Sequence, residues 1–302
     1  MKNSNVLYGA AQTSAVPTGE TVRDNTILLK LTVSGMGFKK KVEAETVIED
    51  KDLASYSGVT KNLIDPAYLS PIGSLDSRIR TRVNEMGFRP GFVHSGFVLL
   101  PVTAVMYVEK MLEEYRDSRA LLVRGLADTM EVAKYEARMK LGPIYNERDY
   151  PSETEIMEKF EVQHEYLTLS VPETLQQIDR ELFIQQEDRA GKLWDNALGE
   201  IRTALRLSFK DITGSMTDKL ENMAETKKIF TKGYVDKVRE FLETFDLKHI
   251  TQDPKLADLV GRTRKILEGE SPDSIRQDDS VRLRILNVMK SVDGDLGALM
   301  SQ

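Results

Sequence analysis

The stretch PVTAVMYVEKMLEEYRDSRALLVRGLADTMEVAKYEARMKLGP, residues 101–143, decides the class of the fold. Val102, Val105, Met106, Leu112, Tyr115, Leu122, Leu126, Met130, Ala133 and Ala137 recur in it at three- and four-residue spacings, the signature of a helix with one buried stripe. Pro101 suits the opening of a helix, where its missing N–H would have had no partner, and Gly142-Pro143 supplies a stop. As a single helix of roughly 40 residues it would run about 60 Å, at about 1.5 Å per residue, which is longer than a compact domain is wide.

Helical spacing returns after Pro172, with Leu175, Ile178, Leu182 and then Leu193, Trp194, Ile201, Leu205 and Ile212. The spacing near 3.5 residues from Trp194 to Ile212 fits a coiled-coil seam, which makes Leu193, Trp194, Ile201, Leu205 and Ile212 candidates for helix packing and self-association. The expected arrangement is an antiparallel hairpin between this helix and the one beginning near Val102, with a kink or break at Gly214-Ser215. From Gly233 onward three further helices are expected. Asp253-Pro254 and Ser271-Pro272 each place an N-cap before a proline at the first helical position, and Gly269 ends the helix between them.

On the N-terminal side, Ile27, Leu29, Leu31 and Val33 alternate, Ser34-Gly35-Met36-Gly37 interrupts, and Phe38, Val42 and Ala44 resume, which reads as a β-hairpin with a glycine turn. Gly35 and Gly37 lack the third glycine and following helix of a nucleotide-binding loop. The glycines, aromatics and prolines of residues 87–101 bracket a short buried strand, and residues 162–171 read as another, strongest from Tyr166 to Val171 and stopped by Pro172. Ser152 and Glu155 form a capping box opening a short helix. Pro66 and Pro71 divide a short helix from a second one over Ile72–Met86, which carries Arg78, Arg80 and Arg82 and is followed by Arg89. The fold expected is mainly α with a small antiparallel sheet, an α+β chain whose body is a long, coiled-coil-like antiparallel helical hairpin. Four regions are anticipated: a flexible arm at 1–24, an α+β domain at 25–172, a long helix at 173–232 and a helical bundle at 233–302.

Composition limits the function classes. The 302 residues contain no cysteine, which removes thiol nucleophiles, thiolate metal sites and disulfides, and suits a reducing compartment. Acidic and basic residues are interspersed at a net charge of −6, so no region offers the broad positive field of a nucleic-acid-coating protein. No segment approaches the roughly 20 apolar residues of a membrane span and none reads as a signal peptide, so a cytoplasmic protein without membrane contact is expected. His94, His164 and His249 lie in separate elements with no second ligand at metal spacing, and no phosphate loop, nucleophile elbow or kinase signature occurs. His164 has Glu161 and Glu165 close by in sequence, but strand alternation sends His164 and Tyr166 to one face and Glu165 to the other. No catalytic, cofactor-binding or metal-ligating residue is assigned on this basis.

The order of elements carries a resemblance. The segment from Ile27 to Ala44 with Lys39-Lys40-Lys41, the Lys61-Asn62-Leu63-Ile64-Asp65-Pro66 turn, the Arg78–Arg82 helix, Gly96-Phe97 running through Leu99-Leu100-Pro101 into a long helix, and Asp149-Tyr150-Pro151-Ser152 resemble a family of uncharacterised bacteriophage and mobile-element proteins defined only as a domain of unknown function. The resemblance spans residues 26–173. It implies a bacterial host cytoplasm and an AAA+ ATPase among candidate partners, and it transfers no catalytic residue. The functional expectation is a non-enzymatic interaction protein, an adaptor, assembly factor or inhibitor that forms homo-oligomers through its helices. One alternative is an accessory protein of DNA recombination or replication that binds nucleic acid through Arg78, Arg80, Arg82 and Arg89. Another is a hydrolase whose carboxylates converge only in three dimensions.

Overall fold

A computed structural model describes residues 17–49, 53, 57–226 and 232–301. The fold is mainly α with a small antiparallel sheet, and it divides into two compact units. A mixed unit comprises residues 26–169, and a helical unit comprises residues 170–302 together with the segment that ends at Asn25. Of the arm expected at 1–24, residues 1–16 lie outside the described residues; ahead of Pro66, where a short helix is expected, residues 51, 52 and 54–56 lie outside them too, and Val59–Asn62 is a strand.

In the mixed unit, β1 (Thr26–Val33) is the central strand of three, between β4 (Phe97–Pro101) and β5 (Val162–Leu167), both antiparallel to it. Thr26 lies opposite Pro101 and Lys30 opposite Phe97 on one side, and Leu28 opposite Leu167 and Val33 opposite Val162 on the other. The hairpin expected from Ile27 to Ala44 does not form: β2 (Lys39–Val42) pairs with β3 (Val59–Asn62) in a separate two-stranded sheet. The reason is burial. Leu29 is fully buried, and β4, with Val98, Leu99 and Leu100 buried, extends its apolar face, whereas Lys39–Lys41 of β2 are exposed and would not. The strand after residue 160 is shorter than expected: Val162–Leu167 pairs with β1, and of the stretch expected to be strongest, Tyr166–Val171, only Tyr166 and Leu167 lie in it.

Helix α1 (Gly19–Asp24) belongs to the helical unit; α2 (Ser70–Met86), α3 (Val105–Asp128), α4 (Met130–Leu141) and α5 (Glu153–Lys159) cover the mixed unit. Pro101 ends β4 and a single 3-10 turn leads into α3. The continuous helix expected over residues 101–142 is interrupted at Thr129, whose hydroxyl donates back to the carbonyls of Gly125 (2.9 Å) and Leu126 (3.1 Å), a local competitor of helical geometry. The α3–α4 stripe of Val123, Leu126, Ala127, Met130, Ala133 and Ala137 packs with Phe38, Leu63, Ile64, Ile72, Tyr150 and Ile156 into one core. Ser152 and Glu155 form the expected capping box on α5.

The helical unit is built on α7 (Arg180–Thr226), preceded by the short α6 (Thr174–Ile178) and followed by α8 (Lys232–Lys248), α9 (Pro254–Leu267), α10 (Pro272–Gln277) and α11 (Asp279–Met300). Asp253 and Ser271 cap α9 and α10 as their sequence announces, but the described part of the tail holds four helices instead of three because Asp278 caps a new start after α10. The helix packed along α7 is α11, running antiparallel: Arg206 donates to the Leu299 carbonyl, Gly214 lies beside Asp293, and Glu221 pairs with Lys290. The expected partner near Val102 belongs to the other unit. Nor is α7 broken at Gly214. A glycine inside a helix costs about 1 kcal/mol, and the buried Thr213, Met216 and Leu220 on the packed face outweigh that.

Residues 19–24, expected as part of a flexible arm, form α1 against α7. Val22 is fully buried and the Gly19 amide donates to Asp195 Oδ1 (3.0 Å). A Cβ on Gly19 would lie 2.4 Å from the Asp195 nitrogen and 2.5 Å from the Trp194 carbonyl carbon, both backbone atoms that cannot swing aside. Gly19→Ala should therefore lower stability by about 1–3 kcal/mol and speed tryptic cleavage after Arg23. Unchanged melting and cleavage would show that α1 is not docked this closely.

Candidate functional site

The mixed unit gathers its polar chemistry along one face of α3. Tyr115, Arg116 and Arg119 sit there with Glu109 two turns earlier, while Asp76 comes from α2 and His164 and Tyr166 from alternate positions of β5. Arg119 is 2% exposed. Its Nε donates to Asp76 Oδ1 (2.9 Å), one terminal nitrogen to Asp76 Oδ2 (3.3 Å) and the Ser34 carbonyl (2.6 Å), and the other to the Phe160 carbonyl (2.8 Å). The guanidinium also lies 5.4 Å from the centre of the Phe160 ring. Tyr115 donates to the same Asp76 oxygen (2.7 Å), and burial followed by that bond pushes its phenol far above the ordinary value.

The second cluster lies nearer the surface. Glu109 Oε1 accepts from the Tyr166 hydroxyl (2.7 Å) and from His164 Nε2 (2.7 Å), and Arg116 donates to His164 Nδ1 (2.5 Å). An arginine can only donate, so the tautomer follows from the partners: Nδ1 accepts and Nε2 carries the proton toward Glu109. Burial alone would raise the Glu109 carboxyl, but the bonds from Tyr166 and His164 and the charge of Arg116 outweigh it and hold the group below its ordinary value. A histidine–carboxylate pair acts as a general base through its second ring nitrogen, and here Arg116 covers that nitrogen. The cluster therefore holds β5 to α3, with both ring nitrogens of His164 bonded. Alternation separates Glu165 as expected, since it pairs with Lys30 on the other face (3.4 Å).

An open cleft of about 370 Å³ beside Arg116 and Arg119 is lined by Met157, Glu158, Phe160, Glu161 and Val162. Among the described residues no group of three histidines and carboxylates is placed to hold a metal ion. His94 is exposed in the turn before β4, and His249 in the helical unit stacks on Phe245 with ring centres 4.5 Å apart. Burial lowers the His249 pKa, against the pull of Asp253.

The basic residues of α2 do not form one surface. Arg78 and Arg82 share a face, Arg80 points elsewhere around the helix, and Arg89 lies beyond the helix donating to Asn84 Oδ1 (2.7 Å). Arg78 and Arg80 are exposed and Arg82 is half-buried. The candidate self-association residues of α7 are divided too. Trp194, Ile201 and Leu205 are buried in the helical unit's own core and Ile212 is half-buried, so these side chains are already covered; Leu193 is exposed.

What sequence reading missed is the outer face of α3 and α4. Opposite the stripe that fills the core, Leu121, Val132, Tyr135 and Met139 are 70%, 57%, 68% and 71% exposed. The signal was present as a second apolar set at helical spacing in the same stretch, hidden behind the first. Compared with protein-family models, curated proteins and solved structures, the chain matches none.

Glu109 also gives the site a pH signature. Its folded pKa lies below its unfolded value, so its stabilisation is complete above about pH 4.3 and is lost as pH falls through the lowered folded value. Glu109→Gln should cost about 1 kcal/mol at pH 7, discounted for its partial exposure, and flatten the acid limb of the stability profile. An acid limb identical to wild type would refute the assignment.

Proposed function

We propose that this chain is a non-enzymatic interaction protein, an adaptor, assembly factor or inhibitor that binds proteins through helical faces, a second copy of itself included. One observation carries the reading: four large apolar side chains, Leu121, Val132, Tyr135 and Met139, stand exposed on one outer face of α3 and α4, in a unit whose clustered polar groups are paired internally. Exposed clusters of large apolar side chains mark interaction sites in folded proteins. The sequence resemblance over residues 26–173 supports a bacteriophage or mobile-element setting, with an AAA+ ATPase among the partners to try first. A Leu121→Asp/Tyr135→Asp double variant should unfold as cooperatively as wild type yet lose the complexes that wild type forms with a defined partner at saturable stoichiometry. Complexes unaffected by the double variant, or a wild-type chain that forms none, would end this reading.

The exposure of Arg78 and Arg80 favours a second reading, nucleic-acid binding through α2. The two separate at low salt. The interaction reading predicts no retention on single- or double-stranded DNA at about 50 mM salt; retention that falls steeply as salt rises and is abolished by Arg78→Glu/Arg80→Glu would replace it.

A further inference from the structure

The exposed face has a period as well as a composition. Leu121, Gly125, Asp128, Val132, Tyr135 and Met139 are separated alternately by four and three residues, the seam of a two-stranded coiled coil, and every one of them is exposed. Helical hydrogen bonds span the interruption at Thr129, because the Thr129 amide still donates to the Gly125 carbonyl (3.1 Å) and the Ala133 amide to the Thr129 carbonyl (3.0 Å). No atom approaches the position a Cβ would take on Gly125, so a second helix can come close there.

The residues flanking this seam choose its occupant. Asp117, Arg124, Glu131 and Arg138 are seven apart, all exposed, and alternate in sign. An antiparallel second copy places Arg124 against Glu131 of the other chain and Asp117 against Arg138 of the other chain, so each contact and its symmetry mate joins opposite charges. The same alignment sets Leu121 against Val132, Ser118 against Tyr135 and Gly125 against Asp128. A parallel copy would instead bring Glu131 against Glu136. Glu131 is bonded to Lys134 within its own chain (2.7 Å) and Arg138 lies 5.5 Å from the Tyr145 ring centre, but exposed contacts of this kind are weak enough for a partner to displace.

We infer that two copies of this chain associate antiparallel through the Leu121–Met139 face, with Arg124 of each copy paired to Glu131 of the other. The inference rests on the reading of a self-associating interaction protein and gives it a location and a direction. Asp128 at the centre limits affinity and fixes register, as a polar seam residue does.

Sedimentation equilibrium of the full chain tests it. Wild type should dimerise in the micromolar range, and Arg124→Glu alone or Glu131→Arg alone should raise the dissociation constant at least about tenfold by placing like charges together twice. Mixed in equal amounts, the two variants should recover wild-type affinity to within about threefold, since each acidic pair then meets a basic one, and a misfolded variant could not give that recovery. A dimer unaffected by either variant, or no recovery on mixing, would place self-association on another face and leave the broader reading standing. A wild-type chain that stays monomeric at about 500 µM would remove self-association altogether.

Discussion

A charge buried in an apolar stripe must be matched by partners, and Arg119 is the residue whose partners organise the mixed unit. Asp76 brings α2 to α3, the Ser34 carbonyl fixes the chain as it leaves β1, and the Phe160 carbonyl fixes it as it enters β5. Ser34 and Glu161 are bonded to each other directly as well, through amide, hydroxyl and carbonyl groups. The central strand, its β5 neighbour and two helices thus meet on one guanidinium. Removing either member of such a pair strands the other without solvent, which costs about 3–5 kcal/mol.

That commitment shapes what the unit can do. Arg119, Asp76, Tyr115, Glu109, His164 and Tyr166 have the composition of an active site, yet the bonds described for them run to one another, to Arg116 or to backbone. The polar residues are on the inner side of α3, where they position strands. The apolar residues Leu121, Val132, Tyr135 and Met139 are on the outer side of the same helical segment, where no described residue of the unit covers them. The outer side of α3 and α4 thus carries large apolar side chains among its charges, and apolar surface of this kind is best accounted for by something that covers it.

Local signals were legible in the sequence. Helical class follows from apolar spacing, and the caps at Ser152, Asp253 and Ser271 were readable because a cap is complete within four residues. Strand pairing was not. The partners of β1 are residues 97–101 and 162–167, whereas Ser34–Gly37 suggested a nearby one, and the alternation of Ile27, Leu29 and Leu31 is the same whichever strand lies beside it. Arg119 was invisible for a related reason: a lone arginine in a helix reads as solvated, and its burial depends on Asp76, Ser34 and Phe160, all remote in sequence. The α7 residues failed as an association seam because a 3.5-residue period says only that something packs there, and within the helical unit α1 does so at Trp194 and α11 from Arg206 onward.

We attribute the cohesion of the mixed unit to the Arg119–Asp76 pair, which joins α2 to α3 and, through the Ser34 and Phe160 carbonyls, to the chain at β1 and β5. A double-mutant cycle on the full chain tests this most directly, with the unfolding of Arg119→Met, Asp76→Asn and the double variant measured by denaturant titration and hydrogen exchange in β1 and β5. The expected result is a loss of about 3–5 kcal/mol for Arg119→Met, a coupling energy well above 1 kcal/mol, and exchange accelerated in both strands. Additive losses below about 1 kcal/mol, with exchange in β1 and β5 unchanged, would contradict it.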